Sequence, residues 1–273
     1  SFLQFKNIVT FYKKLIGSIT ITAIIISLLY AFLSPPYYRA ELIMTPAETE
    51  KNSLPGGLSG QLGGLAGLAG INAGGSEKTN SSMATLSSRS FIVDFINETE
   101  IMPILFSDEW DSNINSWSDE EEIPSLWDGY REFKKLMNVS LNKETNILIL
   151  SLEWKDPFLA AEWTNKLFYK INLVIKNLEK EESKKSIVFL QEELSKTKII
   201  SVEAAIHSLI QKQLSTLMLA NTREDYVFSL IDPAVAPDKK SRPIRSLILI
   251  FGTILGFLLG LFVALYKDSA NEE

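Results

Sequence analysis

The stretch "IDPAVAPDKKSRPIRSLILIFGTILGFLLG" (231–260) joins two kinds of chain, and its reading decides the fold. Pro233, Pro237 and Pro243 are interleaved with Lys239, Lys240, Arg242 and Arg245. Proline locks φ and removes an N–H donor, so this part is a stiff, extended strap. Ser246–Tyr266 then carries no charge. At 1.5 Å per helical residue such a run spans a hydrocarbon core of roughly 30 Å. The strap therefore leads into a membrane helix.

A matching run lies near the other end. No charge falls between Lys14 and Arg39, and "LIGSITITAIIISLLYAFL" (15–33) is long enough to span. Lys13 and Lys14 in front of it suggest a signal peptide, but the apolar run is too long and no A-x-A site precedes Ser34-Pro35-Pro36. The expectation is an uncleaved anchor. Lys6, Lys13 and Lys14 flank the first span, and Lys239, Lys240, Arg242 and Arg245 precede the second. Long loops cross largely regardless of charge and the first helix usually sets orientation. Segments 1–14 and 267–273 are thus expected in the cytosol, 15–33 and 246–266 in the membrane, and 34–245 outside the cytosol. Small residues recur in both spans, at Ala23, Ser27 and Ala31 and at Gly252, Gly256 and Gly260. Two readings stand: a packing ladder, or the ordinary abundance of glycine in membrane helices.

Between the spans the pattern is α+β. "YYRAELIMTP" (37–46) alternates Tyr38, Ala40, Leu42 and Met44 with charged residues, as a half-buried strand does. "NVSLNKETNILILSLEW" (138–154) reads as two strands about the turn Asn142–Thr145, and "DYVFSLID" (225–232) as another strand. Helical patterns occupy 82–97 and 124–137. The longest periodic region, 157–221, opens at Asp156-Pro157, a cap followed by the residue best suited to the first helical position. Ala160, Trp163, Leu167, Ile171, Val174 and Leu178 form its first stripe. A second runs from Ile187, Leu190 and Leu194 to Ile199, Val202, Ile206, Leu209, Leu214 and Leu217. A single helix of that length would measure about 95 Å. The polar run "EKEESKKS" (179–186) interrupts the stripes, and if the strands on both sides share a sheet the helices must fold back, most simply near 181–186. The expected architecture is a membrane-proximal mixed sheet with a long helical hairpin protruding from it, flanked by two transmembrane helices. Leu209, Ile210, Leu214, Leu217 and Met218 make a face broader than one partner helix needs, so neighbouring copies are expected to cover it.

The Gly-rich segment 56–75 holds nine of the fourteen glycines, yet no Gly-Lys-Ser/Thr follows it. Its leucines at 58, 62, 65 and 68 favour a packing segment over a loose tether.

Residues for chemistry are sparse. His207 is the only histidine, it lies within a helical run, and cysteine is absent. In "DSNINSWSDEEE" (111–122), Asp111, Asn113, Asn115, Asp119 and Glu122 sit at calcium-loop spacings. Ser116 replaces the glycine that the loop's sharp turn needs, and Ser118 takes the apolar position, so a solvated acidic loop is the expectation. Neither G-x-S-x-G nor H-E-x-x-H occurs. No catalytic, metal or cofactor site is expected. A net charge of −6 gives no reason to expect nucleic acid.

Taken in order, these segments resemble the Wzz-type polysaccharide co-polymerases, which regulate the chain length of bacterial O-antigen and related polysaccharides. The resemblance rests on the first span leading into Pro-Pro-Tyr-Tyr-Arg-Ala (35–40), the Leu/Gly-rich segment, and "TLSSRSFIVDFI" (85–96). It continues through "TNILILSLEWKDPFLAAEWTN" (145–165) and "MLANTREDYVFSLIDPAVAPDKKSRPIR" (218–245). The helical region is short for that family, and no nucleotide-binding motif appears, so the kinase-free type is implied. The resemblance implies an inner-membrane protein with residues 34–245 in the periplasm and a ring-like homo-oligomer forming a hollow bell. It also implies the polymerase, the growing polysaccharide and membrane lipid as partners, and no catalysis by the chain itself. A second class fits the same fold: an adaptor that bridges a transporter to outer-membrane export machinery.

Overall fold

A computed structural model of the 273-residue chain describes residues 10–47, 75–119 and 122–271. The Gly-rich packing segment, up to residue 74, lies outside the described residues. The chain divides into two compact units. One holds residues up to Arg39, Glu153–Pro157 and the chain from Pro237 onward; the other holds Ala40–Leu152 and Phe158–Ala236.

In the first unit, helix α1 (Lys13–Leu33) lies against the last helix, α8 (Arg245–Asn271). Both are long and apolar enough to cross a membrane, and only 11% and 17% of their most apolar windows are buried. The core helix of a soluble protein would hide that surface. Two such helices near the two ends fit a two-pass membrane protein.

The second unit is built on a four-stranded sheet in the order β4-β5-β1-β6, formed by β1 (Tyr38–Pro46), β4 (Met137–Asn142), β5 (Ile147–Trp154) and β6 (Phe228–Asp232). β4 pairs antiparallel with β5, and β1 pairs antiparallel with β6, with a register shift between Ile43 and Met44. Alternation holds where the sequence shows it. Ala40, Leu42 and Met44 of β1 and Leu148, Leu150 and Leu152 of β5 are buried, as one face of a pleated strand must be.

Helices α2 (Gly75–Leu86), α3 (Arg89–Thr99), α4 (Met102–Leu105) and α5 (Leu126–Leu136) follow β1, with a small hairpin of β2 (Trp110–Asp111) and β3 (Ser116–Trp117) among them. Capping explains where two of them start. The Ser88 side chain accepts from the Phe91 N–H at 3.3 Å, opening α3. Ser125 and Asp128 form a reciprocal capping box that opens α5. The hydrogen bonds from Ser125 hold the Asp128 carboxyl below its ordinary pKa. Phe91, Ile92, Phe95 and Ile96 of α3 and Phe133 of α5 are buried, and the Phe95 and Phe133 rings pack at 5.4 Å.

Helix α6 (Pro157–Lys196) starts at the expected proline, and α7 (Ile200–Thr222) follows it. The expected fold-back near 181–186 is wrong: α6 runs through it unbroken for 40 residues, about 60 Å. Glutamate and lysine are good helix formers, and Lys184 bonds Glu181 at 2.9 Å one turn away. That polar run is continuous helix, exposed at Glu181, Glu182, Lys184 and Lys185 and buried at Ser183. The chain breaks instead at Thr197–Ile199, where β-branched residues cluster and Ile199 is extended. The expected first stripe also shifts. Leu178 is 62% exposed and the buried line continues through Phe168, Asn172 and Ile175. At 3.6 residues per turn a straight stripe drifts around the helix, and the covered face drifts with it.

Candidate functional site

The return from α7 to the sheet is laced onto α6 by side chains seven, four and three residues apart. The Asn165 amide donates to Ala234 O at 2.8 Å and accepts from the Ala234 N–H at 3.0 Å. Two turns on, buried Asn172 accepts from three successive backbone N–H groups, of Tyr226 (3.0 Å), Val227 (2.8 Å) and Phe228 (3.0 Å). Its Nδ2 donates to Phe228 O at 3.0 Å and, less closely, to Phe168 O at 3.4 Å. Lys176 Nζ donates to Arg223 O at 2.7 Å.

Glu179 completes the seam, accepting from the Tyr226 hydroxyl while pairing with Lys78 of α2 at 2.7 Å. Burial, reinforced by the Glu179 carboxylate, pushes the Tyr226 pKa far above its ordinary value. A raised acid pKa favours the neutral folded form. The stability it brings is complete below the unfolded tyrosine value and is lost only as alkali rises through the folded one. The sequence reading missed this seam.

Beyond it, the helical arm stands bare. Past Ser183, α6 buries no residue, and α7 buries only Ile206 and Ala220. Val188 and Phe189 of α6 are exposed, as are Ile200, Leu209, Leu214 and Met218 of α7, the last at 66%. Ile210 and Leu217 are half-buried. Among the described residues, Ile199, Val202, Leu209 and Leu214 of the second stripe are exposed, Ile187, Leu190, Leu194 and Leu217 are half-buried, and only Ile206 is buried.

In the span pair the three glycines of α8 lie close against α1. A Cβ on Gly252 would fall 1.9 Å from Ser27 Oγ, one on Gly256 2.6 Å from the Ala23 Cβ, and one on Gly260 3.1 Å from the Ile16 Cα. Ala31 is buried, as are Tyr12, Ile16 and Ala264, which cluster at the opposite end of α1.

The strap is tied at two points. Ala234, directly after Pro233, is clamped by Asn165 in the second unit. In the first unit, Tyr37 exchanges backbone hydrogen bonds with Arg242 and Ser241, before Pro243 and after Pro237. The Arg242 Nε meets Glu153 Oε2 at 2.7 Å.

The residues considered for chemistry are dispersed. His207 is exposed on α7. Asp111 lies in the small hairpin, accepting from the Asn113 N–H at 2.8 Å and paired across it with Ser116. Trp110 and Trp117 close the hairpin edge to face at 5.0 Å, and Asn115 takes a left-handed φ of 49° at its turn. Asp111 therefore ends β2 and its side chain braces the turn that holds Asn113. Among the described residues no group of three or more His, Asp or Glu side chains is placed to hold a metal ion.

Residues 2–99 match the family model described as Wzz, chain length determinant protein. That match takes in α1, β1, the Gly-rich segment, α2 and α3. Over these residues the chain resembles the Wzz chain length determinants, as its motifs indicate. Two solved structures align with it at low similarity. One is a full-length bacterial polysaccharide co-polymerase, at 13% identity and a TM-score of 0.41, covering 97% of this chain and 96% of that one. The other is a fragment of WzzB, a polysaccharide co-polymerase from Salmonella Typhimurium, at 12% identity and a TM-score of 0.32, covering 76% and 100%. No curated protein matched the chain.

Proposed function

We propose that this chain is a polysaccharide co-polymerase of the bacterial inner membrane. It regulates the length of O-antigen or a related surface polysaccharide and performs no catalysis itself. The observation that carries the reading is the exposed apolar arm of α6 and α7, in a chain that also carries two helices long and apolar enough to cross a membrane. Exposed apolar stripes on paired helices call for a partner surface. Further copies of the same chain supply one when head-to-tail contacts close into a ring. The family match over 2–99 supports the same reading. In this arrangement residues 34–245 stand in the periplasm as a hollow bell beside the polymerase and the growing polysaccharide. The assembly sets how long extension continues.

A deletion strain tests this. The expected result is polysaccharide of altered length distribution that still reaches the surface. Loss of surface delivery with normal lengths would instead make the chain an export adaptor.

Orientation has its own test. Alkaline phosphatase fused between residues 100 and 130 should be active, because the first span enters with its N-terminus in the cytosol. Activity confined to a cytosolic reporter at those positions would reverse the topology.

A further inference from the structure

Where strap and spans meet, the first unit holds a pocket of about 530 Å³ lined by Ser34, Tyr37, Pro35, Ile244, Leu247 and Ile248, among others. That lies within the range of ligand pockets, roughly 300–1,000 Å³. Its position follows from the chain. Leu247 and Ile248 belong to the first turn of α8, whereas Ser34 and Tyr37 follow the end of α1. The pocket therefore straddles the plane where hydrocarbon gives way to headgroups, and Tyr30 and Tyr37 sit at the level that tyrosine prefers.

Arg242 is the one charged residue lining the pocket among the described residues, and Arg245 lies three residues on, at the start of α8. Arg242 spends its Nε on Glu153 but is 66% exposed, so its terminal nitrogens remain open to solvent. The Arg245 guanidinium is held 4.5 Å from the Phe32 ring centroid and makes no ion pair among the described residues. Stacking on that ring keeps the cation beside the mouth of the spans. Lys239 and Lys240 lie just before them, against the single carboxylate Asp238 in this part of the strap. An apolar slot lined by one arginine, with Arg245, Lys239 and Lys240 close by in the sequence and Glu153 and Asp238 as the carboxylates beside them, matches one ligand class by charge and by shape.

We propose that this pocket binds an anionic phospholipid, its phosphate held by Arg242 and Arg245 and an acyl chain lying against Leu247 and Ile248. The inference rests on reading α1 and α8 as membrane spans. The bound lipid would fix the angle at which the strap leaves the membrane.

The test uses the full chain extracted in a mild detergent, with native mass spectrometry counting retained lipid. Phosphatidylglycerol should be retained about tenfold more strongly than phosphatidylcholine, given Arg242 and Arg245. Arg245→Gln, which breaks no ion pair, should erase most of that preference. Leu247→Trp, which keeps every charge but fills the slot, should also lower phosphatidylglycerol retention. Equal retention of the two lipids would overturn the proposal, as would a preference that survives Leu247→Trp. Displacement of the lipid by inorganic phosphate at equal concentration would show a phosphate site in place of a lipid site, and would also overturn it. A chain that fails to partition into membranes and carries no lipid would instead undo the spanning reading itself.

Discussion

Replacing Asn172 with alanine is expected to lower the stability of the second unit by at least about 3 kcal/mol. Its Oδ1 accepts from three consecutive backbone N–H groups, at 2.8–3.0 Å, and the residue is only 3% exposed. Removing the amide strands those donors at once. Each buried, unsatisfied group costs about 1–3 kcal/mol, and the small cavity left by the side chain adds to that. For a domain of this size the thermal midpoint should fall by roughly 6–12 °C. Asn172→Asp separates the components. It keeps an acceptor for the three N–H groups but turns a carboxylate oxygen toward the carbonyls of Phe168 and Phe228, so an intermediate loss is expected. The midpoints of the detergent-extracted variants decide the matter. An alanine variant within 2 °C of the parent would show that water replaces the amide and that the seam does not hold the return strand.

Gly256→Leu should be the most damaging change in the spans. A Cβ there would lie 2.6 Å from the Ala23 Cβ and 3.2 Å from the Thr20 Cα. Neither atom can be moved by changing a rotamer, so the helices must separate. At Gly252 the nearest atom is Ser27 Oγ, which can rotate away in part. Overpacking of this kind costs about 1–3 kcal/mol, and the tight van der Waals contact that binds membrane helices is lost with it. Gly17 is the internal control, because a Cβ added there meets nothing within 4 Å. Gly17→Leu should leave the span pair intact, whereas Gly256→Leu should lower the midpoint of the extracted protein and disturb polysaccharide length. If the two variants behave alike, close approach of α1 and α8 at Gly256 is not what holds the pair.

These residues show where sequence is informative. The spans, the alternation in β1, the strand–turn–strand at β4 and β5 and the start of α6 at Pro157 are local patterns, and each was legible. The seam was not. Asn165, Asn172, Lys176 and Glu179 look like the solvated side of a helix, because the backbone groups that the first three serve, and the Tyr226 hydroxyl that Glu179 accepts from, lie about fifty to seventy residues away. The spacing of seven, four and three was the available signal, but polar residues at helical spacing occur on every exposed face. The break at Thr197–Ile199 was missed for a different reason: no glycine, proline or asparagine marks it, while the charged run before it imitates a loop. The bare face of α7 was readable as apolar periodicity. Only the structure shows that the described residues leave Leu209, Leu214 and Met218 exposed.

The most direct test of a function residing in assembly compares polysaccharide length between variants on that face and variants of its polar residues. Leu214→Glu places a charge on the exposed stripe of α7, where burial against a neighbouring copy would be strongly disfavoured. It should shift the length distribution and reduce the oligomer, with the protein still in the membrane. His207→Ala on the same helix and Asp111→Ala in the small hairpin should leave lengths nearly unchanged. If His207→Ala or Asp111→Ala abolished length control in an intact oligomer while Leu214→Glu had no effect, the function would reside in a site and not in the assembly.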